Sequence, residues 1–256
     1  IHYSLAGLSF REFIEFSTQQ KLKAYSFKDL LKNHHQIAAK ITEDLHPLPL
    51  FKKYLHYGYL PITAEGEKEY PIKLNQIINA VIETDLAFIA SYGPGTALKV
   101  KKLIAVIAEL VPFKPNISAL AQKLDISRDS LYTYISQLTQ ARIINTLQAS
   151  GKGISTLQKP EKIYLENTNL SYALTSSPDI GNLRETFLFN QLQNAGLVVS
   201  APKEGDFLTE GYHIEVGGKN KTAKQVKATE KHIIVADEIE IGIGTKIPLW
   251  LFGFMY

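Results

Sequence analysis

The chain has 256 residues, 45% of them hydrophobic, a formal net charge of +3 and no cysteine. That length accommodates two or three domains with sizeable cores, and the lack of cysteine excludes disulfides and thiolate zinc sites, which suits a reducing cytoplasm. The mild basic balance permits a nucleic-acid partner without demanding one. No apolar run approaches the ~20 residues of a membrane-spanning helix, so no membrane partner is expected, and no signal peptide is evident.

Residues 1–96 read as mainly helical. Ile1 opens inside IHYSL, a strand-like segment, as though the chain were a fragment of a longer protein. LSFREFIEF starts a helix, with Ser9 as N-cap and Glu12 completing a capping box. FKDLLKNHHQIAAKITEDL keeps the helical period, HPLPL punctuates it, and FKKYLHYGYLPI is a helix that stops at Gly58. KLNQIINAVIETDLAFIA is a further helix, ended by SYGPG. His34 and His35 are adjacent, so they face different sides of their helix and lack a metal-ligand spacing.

Residues 97–166 change character. ALKVKKLIAVIAELV is an amphipathic helix, ISALAQKL a short one with Asn116 as N-cap, DIS a tight turn and RDSLYTYISQLTQARI a third helix. INTLQASGKGISTLQKPEKIYLEN then reads as strands around a Gly-Lys-Gly tip. That order predicts a winged helix-turn-helix. Leu131, Ile135 and Leu138 would face the core, leaving Arg128, Tyr132, Thr133, Ser136 and Gln137 outward and Lys152 at the wing tip, side chains able to reach base edges or phosphates of duplex DNA. From Ala97 to Gln158, eight Lys or Arg stand against three Asp or Glu, a local +5. The alternative is a winged helix that packs against its neighbours and touches no DNA, because the outward helix is polar rather than cationic.

Residues 167–256 read as a small α/β unit. NLRETFLFNQLQNAG is a helix ending at Gly196, LVVS a strand, GDFLTEGYHIEV a hairpin turning near Glu210-Gly211, KTAKQVKATE a basic helix, and HIIVADE and PLWLFGFMY two strands. Glu185 lies in the helix, Asp206 at the start of one hairpin strand, Glu215 near the end of the next, and Lys219 four residues later. Two acids on neighbouring strands supply hard oxygens for Mg²⁺, and a lysine beside them could hold a water or a scissile phosphate. This is the order of a PD-(D/E)XK nuclease site, with two departures. Gly205, not proline, precedes Asp206, and Gly217 occupies the place the lysine should hold. Lys219 would sit ~13 Å along the strand rather than ~7 Å, at roughly 3.3 Å per residue, unless Gly217-Gly218 bend the chain back. The alternative is a strand end followed by solvated lysines. Neither a G-x-S-x-G elbow nor a phosphate-binding G-x-x-x-x-G-K-[ST] loop occurs, so no ATP site is expected within these residues.

YSLAGLSFREF, YLHYGYLP, ETDLA, KPEKIYLENTNLSYAL, GNLRETFLFNQL, IEVGGKNKTAKQ and DEIEIGIGTKIPLWLFGF resemble the C-terminal two-thirds of a prokaryotic family of AAA-type ATPases of uncharacterised role. The resemblance implies a multidomain α and α/β chain. It divides into the end of an AAA core with a helical lid-like region over 1–96, a winged helix-turn-helix over 97–166 and a restriction-endonuclease-like, PD-(D/E)XK nuclease-like α/β domain over 167–256. It implies ATP binding, and homo-oligomerisation through the ATPase core, for the parent protein and not for this fragment, and it carries Glu185, Asp206, Glu215 and Lys219 onto nuclease-like positions, with Asp206 and Glu215 as Mg²⁺ ligands. The stretched lysine spacing favours a DNA-interacting part with a degenerate nuclease-like domain. An active Mg²⁺-dependent nuclease and a protein-interaction or assembly module are the alternatives.

Overall fold

A computed structural model describes residues 5–90, 92–110, 112, 114–151, 159–222 and 231–256. The N-terminal helices are α1 (Phe10–Thr18), α2 (Phe27–Asp44), α3 (Pro47–Tyr57), α4 (Tyr70–Ala80) and α5 (Leu86–Ala90), the last two joined without a break by a π-helical turn over Val81–Asp85. Ser9 and Ser26 close full capping boxes with Glu12 and Asp29, so the orphan N–H groups that open each helix are satisfied locally. HPLPL is not a break but a helix start. Pro47 takes the first helical position of α3, where its missing N–H costs nothing and its fixed φ suits the helix. His34 is buried, with Nε2 3.0 Å from the Gly244 carbonyl, while His35 is exposed, as adjacent helical positions require.

The next stretch runs α6 (Pro94–Leu110), α7 (Ile117–Leu124), α8 (Arg128–Gln140), β1 (Ile144–Leu147) and β2 (Lys162–Leu165). Asn116 and Ser127 cap α7 and α8, and Asp125 turns between them in the left-handed region, φ 52°. β1 and β2 pair antiparallel from Ile144↔Leu165 to Leu147↔Lys162. Two helices and a tight turn ending in a hairpin is the predicted order. A short helix that the sequence reading lacked follows directly, α9 (Thr168–Leu174), capped by the Asn167 side chain. α9 packs against α3, α4 and α6.

The remaining elements are α10 (Ile180–Asn194), β3 (Phe207–Thr209), β4 (Tyr212–Gly217), β5 (His232–Ala236) and β6 (Lys246–Pro248). Their sheet has the order β3-β4-β5-β6, antiparallel between β3 and β4 and parallel beyond. Ser200 bridges to Leu208 on the outer side of β3 and the Val198 carbonyl accepts from the Thr209 hydroxyl at 2.9 Å, so the LVVS segment lies along the sheet edge without forming a regular strand. Glu210 and Gly211 both take positive φ, 49° and 78°, the turn that matches strand twist in a two-residue hairpin. The terminal strand expected over PLWLFGFMY is not formed; β6 ends at its first residue, Pro248. After β6 the chain winds into a 3₁₀ segment, Leu249–Phe254, in which every residue is buried. The basic helix read over 221–230 lies mostly outside the described residues.

One continuous apolar cluster runs from Phe10 to Met255 and includes residues of all three stretches. Phe254 lies against Phe10, its carbonyl accepts from the Tyr25 N–H at 2.8 Å, and Arg11 Nε donates to the Tyr256 carbonyl at 2.9 Å. The mixed α/β architecture is therefore held by contacts between its ends as well as between neighbours. Among the described residues no helix is long and apolar enough to cross a membrane.

Polar side chains tie the helices together inside that core. Asn169 Oδ1 accepts from the Tyr59 N–H and the Tyr70 hydroxyl at 2.8 and 2.6 Å, and its amide donates to the Tyr54 and Leu55 carbonyls. Glu166, its side chain 3% exposed, accepts from Arg142 Nη2 and Nε at 2.7 and 3.0 Å. Arg142 also reaches Asn194 of α10. Removing one member of a buried ion pair strands the other. Arg142 is partly exposed and solvent screens part of the loss, so Arg142→Met should cost about 2 kcal/mol in urea unfolding, with Glu166→Gln costing less.

Candidate active site

Glu215 is the central feature. It sits on β4, between β3 and β5, and is only 5% exposed. One carboxylate oxygen, Oε2, accepts from Lys221 Nζ at 2.8 Å, and the other, Oε1, is buried without a hydrogen-bond partner. Two glycines shape its surroundings. The chain reverses after β4 through a turn closed by the Lys221 N–H on the Gly218 carbonyl, 2.9 Å. That turn lays Lys221 back over Gly217, where a Cβ would come 2.9 Å from three carbons of the lysine stem. On the other side Gly205 has φ +94°, and a Cβ there would meet the Ile214 carbonyl at 3.3 Å. A proline cannot adopt that φ, which accounts for the first departure from the nuclease pattern.

Lys221, not Lys219, is therefore the lysine that reaches Glu215. Strand parity pointed to Lys219, but parity lapses where the strand ends. Lys219 is exposed in the turn, and its carbonyl accepts from Lys246 Nζ at 3.0 Å. The bend expected of Gly217-Gly218 is present, and it returns a different lysine.

Asp206 lies one step beyond the last laddered pair of β3 and β4, opposite Glu215. Its N–H donates to the Ile214 carbonyl, and its Oδ2 accepts from the Val216 N–H at 2.8 Å. Burial raises its pKa, the charges of Glu185 and Glu215 add to that, and the Val216 N–H and Lys162 pull against it. Glu185 faces the same cluster from α10. Its Oε2 accepts from the Tyr164 hydroxyl at 2.6 Å and from Lys162 Nζ at 3.1 Å. Both donors come from β2, the second strand of the β1-β2 pair, and neither was foreseen. Burial raises the Tyr164 pKa, reinforced by Glu185 and Asp206. For Lys221, burial works against the charge, but the hydrogen bond and charge of Glu215, with Asp206 and Glu185 behind, outweigh it and raise the pKa. The arrangement is three carboxylates and two ammonium groups in one cluster between α10, β2, β3 and β4.

Arg184 braces the turn from α10. Its Nε donates to Asp237 Oδ2 at 2.8 Å, its guanidinium lies against Gly218, and the Asp237 N–H donates to the Gly217 carbonyl. The donors in the cluster are hard carboxylate oxygens, one of them unpartnered, and this suits a small divalent cation. No group of three or more His, Cys, Asp or Glu among the described residues is arranged as a metal cage. Mg²⁺ does not need one, since it commonly binds through one or two carboxylates, waters and substrate phosphates.

On α8, Leu131, Ile135 and Leu138 face inward as expected. Arg128 and Thr133 are exposed, although the Thr133 hydroxyl is turned to the Asp129 carbonyl at 2.9 Å. Two predicted contact residues are otherwise engaged. Tyr132 is half-buried against the core, and Gln137 accepts the Tyr92 hydroxyl. Lys152 lies outside the described residues.

The fold and this cluster define a mixed α/β protein with an acidic, lysine-bearing cluster on the β3-β4 side of its four-stranded sheet. The chain belongs to the family described as "Domain of unknown function (DUF8612)", whose model matches residues 48–180. It is also similar to the "Uncharacterized protein MJ1637" of Methanocaldococcus jannaschii, 24% identical over 270 residues, covering 94% of this chain and 57% of that protein, so the chain spans little more than half the length of this relative. No solved structure matches it.

A desolvated carboxylate repelled by its neighbours destabilises the fold that holds it. Because the folded chain raises the Asp206 pKa, its contribution is most favourable below the ordinary carboxylate pKa of about 3.9 and is lost as the pH rises through the raised value. Asp206→Asn should then flatten that part of the stability–pH profile. At neutral pH it should stabilise the protein by about 1 kcal/mol in chemical denaturation, because Asn can still accept from Val216.

Proposed function

We propose that this chain is a nucleic-acid-acting module whose terminal α/β unit carries a PD-(D/E)XK nuclease-like centre, formed by Glu185, Asp206, Glu215 and Lys221. The observation that carries the reading is Glu215. A buried carboxylate paired with a lysine on one oxygen and unpartnered on the other is expensive to keep in a core, and strained or unsatisfied groups of this kind concentrate at functional sites. The sequence argument for a degenerate centre rested on the missing lysine two positions after the acid. Lys221 fills that role from six positions away, which removes the ground for calling the centre dead.

In this reading Asp206 and Glu215 hold Mg²⁺, which when bound would lower the pKa of a water and offset charge on the phosphodiester. Glu215 also anchors Lys221, whose ammonium is held charged and aimed across the cluster at a water or phosphate oxygen. Glu185 is a positioning residue, set by Tyr164 and Lys162. The ATPase core, the ATP site and assembly through that core belong to the same proposal for the whole protein and lie outside these residues. The check is to incubate the chain with plasmid and with single-stranded DNA, with and without Mg²⁺ or Mn²⁺. Cation-dependent cleavage is expected, falling on the order of 100-fold or more in Asp206→Asn, Glu215→Gln and Lys221→Met, with Lys219→Met close to the parent. Equal rates in all of these would remove the assignment.

Duplex binding through α8 is favoured by a separate observation, the exposure of Arg128 on a helix whose surrounding segment carries a net +5. Arg128→Ala should weaken duplex binding and reduce the slope of log affinity against log salt by about one. An unchanged slope in a fluorescence-anisotropy titration would mean that α8 makes no phosphate contact there.

A further inference from the structure

Lys162 does not belong to the unit whose carboxylates it neutralises. It lies at the start of β2, paired with Leu147 in the last laddered position of the hairpin, yet its side chain crosses to α10 and ends 3.1 Å from Glu185 Oε2. The side chain is 14% exposed and that of Glu185 18%, so the ammonium is enclosed in the cluster and poorly screened. The oxygen it contacts does not need it as a donor. Tyr164 already donates to the same Oε2 at 2.6 Å, and a neutral hydroxyl satisfies a carboxylate lone pair without adding charge. What Lys162 adds is a positive charge. Asp206 feels that charge too, since Lys162 is among the groups that counter the rise in its pKa.

We propose that Lys162 is a built-in counter-cation: its ammonium, delivered from β2, neutralises the Glu185–Asp206–Glu215 cluster in the metal-free protein and competes with a divalent cation for it. The proposal rests on reading the cluster as a metal-dependent centre and adds a control on its occupancy. Three carboxylates balanced by Lys162 and Lys221 leave one net negative charge for an entering dication. Without Lys162 there are two. A fixed like charge a few ångströms away in a partly desolvated cluster opposes cation binding far more than a surface lysine would. The two lysines divide the work. Lys221 is fixed by the turn after β4 and travels with Glu215. Lys162 comes from a hairpin outside the sheet, lies over the Tyr164 ring at 6.0 Å and bonds the α10 acid, so its charge can be removed while the Tyr164 hydroxyl still holds Glu185 in place.

The test is Mn²⁺ affinity of the full chain, read by electron paramagnetic resonance of the free ion. Four forms are compared: the parent, Lys162→Met, Lys162→Gln and Lys162→Arg, each with and without the pair Asp206→Asn/Glu215→Gln. Lys162→Met and Lys162→Gln are expected to bind Mn²⁺ about tenfold more tightly than the parent, Lys162→Arg like the parent, and the paired carboxylate substitutions to abolish binding in every background. Gln keeps a donor to Glu185 without the charge, so agreement between Met and Gln assigns the effect to charge and not to packing, and Gln alone serves if Met does not fold. Unchanged or weaker binding in both neutral variants, with the carboxylate pair still required, overturns the counter-cation and leaves the metal centre standing. Binding that ignores the carboxylate pair in all backgrounds overturns the metal centre, and the counter-cation with it.

Discussion

The burial of Glu215 in the middle of a four-stranded sheet is the constraint on which the rest of the cluster depends. A carboxylate so far out of water must be met by charge and hydrogen bonds or it takes up a proton and becomes neutral. The chain meets it with one lysine and supplies that lysine by a sharp reversal. The reversal needs Gly217, because the stem of Lys221 lies where any side chain would be. It needs the Gly218 carbonyl free to close the turn, and it needs Arg184 and Asp237 to hold the turn against α10. On the opposite edge, Gly205 brings Asp206 in close against the β4 backbone. Gly205, Gly217, Arg184 and Asp237 are thus tied to their positions by one acid.

The same constraint explains why the cluster is not the property of the terminal unit alone. β3 is short, three residues, and Asp206 lies past its laddered end, so the sheet by itself leaves the α10 side of the cluster open. β2 fills that side. Tyr164 is fully buried between Phe189 and Phe207, at ring distances of 5.2 and 6.0 Å, and packing of this kind, not the hydrogen bond alone, fixes where its hydroxyl points. The β1-β2 pair, the helix α10 and the four-stranded sheet therefore share one core. Through Arg142, Glu166 and Asn194 they also share a buried polar network a short distance away. A displacement of the hairpin cannot leave the acidic cluster untouched.

Much of this was legible in the sequence, and the failures have physical causes. Helix starts were readable because capping chemistry is local: Ser9 with Glu12, and Asn116 before an apolar period, need no tertiary information. The three carboxylates were readable because strand and helix periods place them, and the fold honours those periods. The lysine was misplaced because period-2 reasoning holds only while the strand lasts, and β4 ends at Gly217. Beyond that residue the turn decides, and four lysines in eleven residues offer the turn several choices. Lys162 and Tyr164 were invisible because their contact to Glu185 spans more than twenty residues of sequence and two structural units. No local pattern records it. The helix α9 was missed for a related reason: its polar residues, Thr168, Asn169 and Ser171, are buried, which inverts the amphipathic signal on which a helix reading relies.

That inversion has a bearing on how the site is maintained. Two clusters of buried polar groups among the described residues differ in how well they are satisfied. Around Asn169 donors and acceptors are matched to backbone carbonyls, N–H groups and a tyrosine hydroxyl, as expected of a network that fixes how helices cross. Around Glu215 they are not matched: one oxygen has no partner, and Asp206 carries a raised pKa from burial and like charge. A core selected for stability alone would replace such a cluster with apolar residues at a gain. The matched network holds α3, α4 and α9 together with enough margin that the unmatched one can persist on α10, β3 and β4. The mismatch at Glu215 coincides with hard oxygen donors and two ammonium groups, and that is where chemistry would use it.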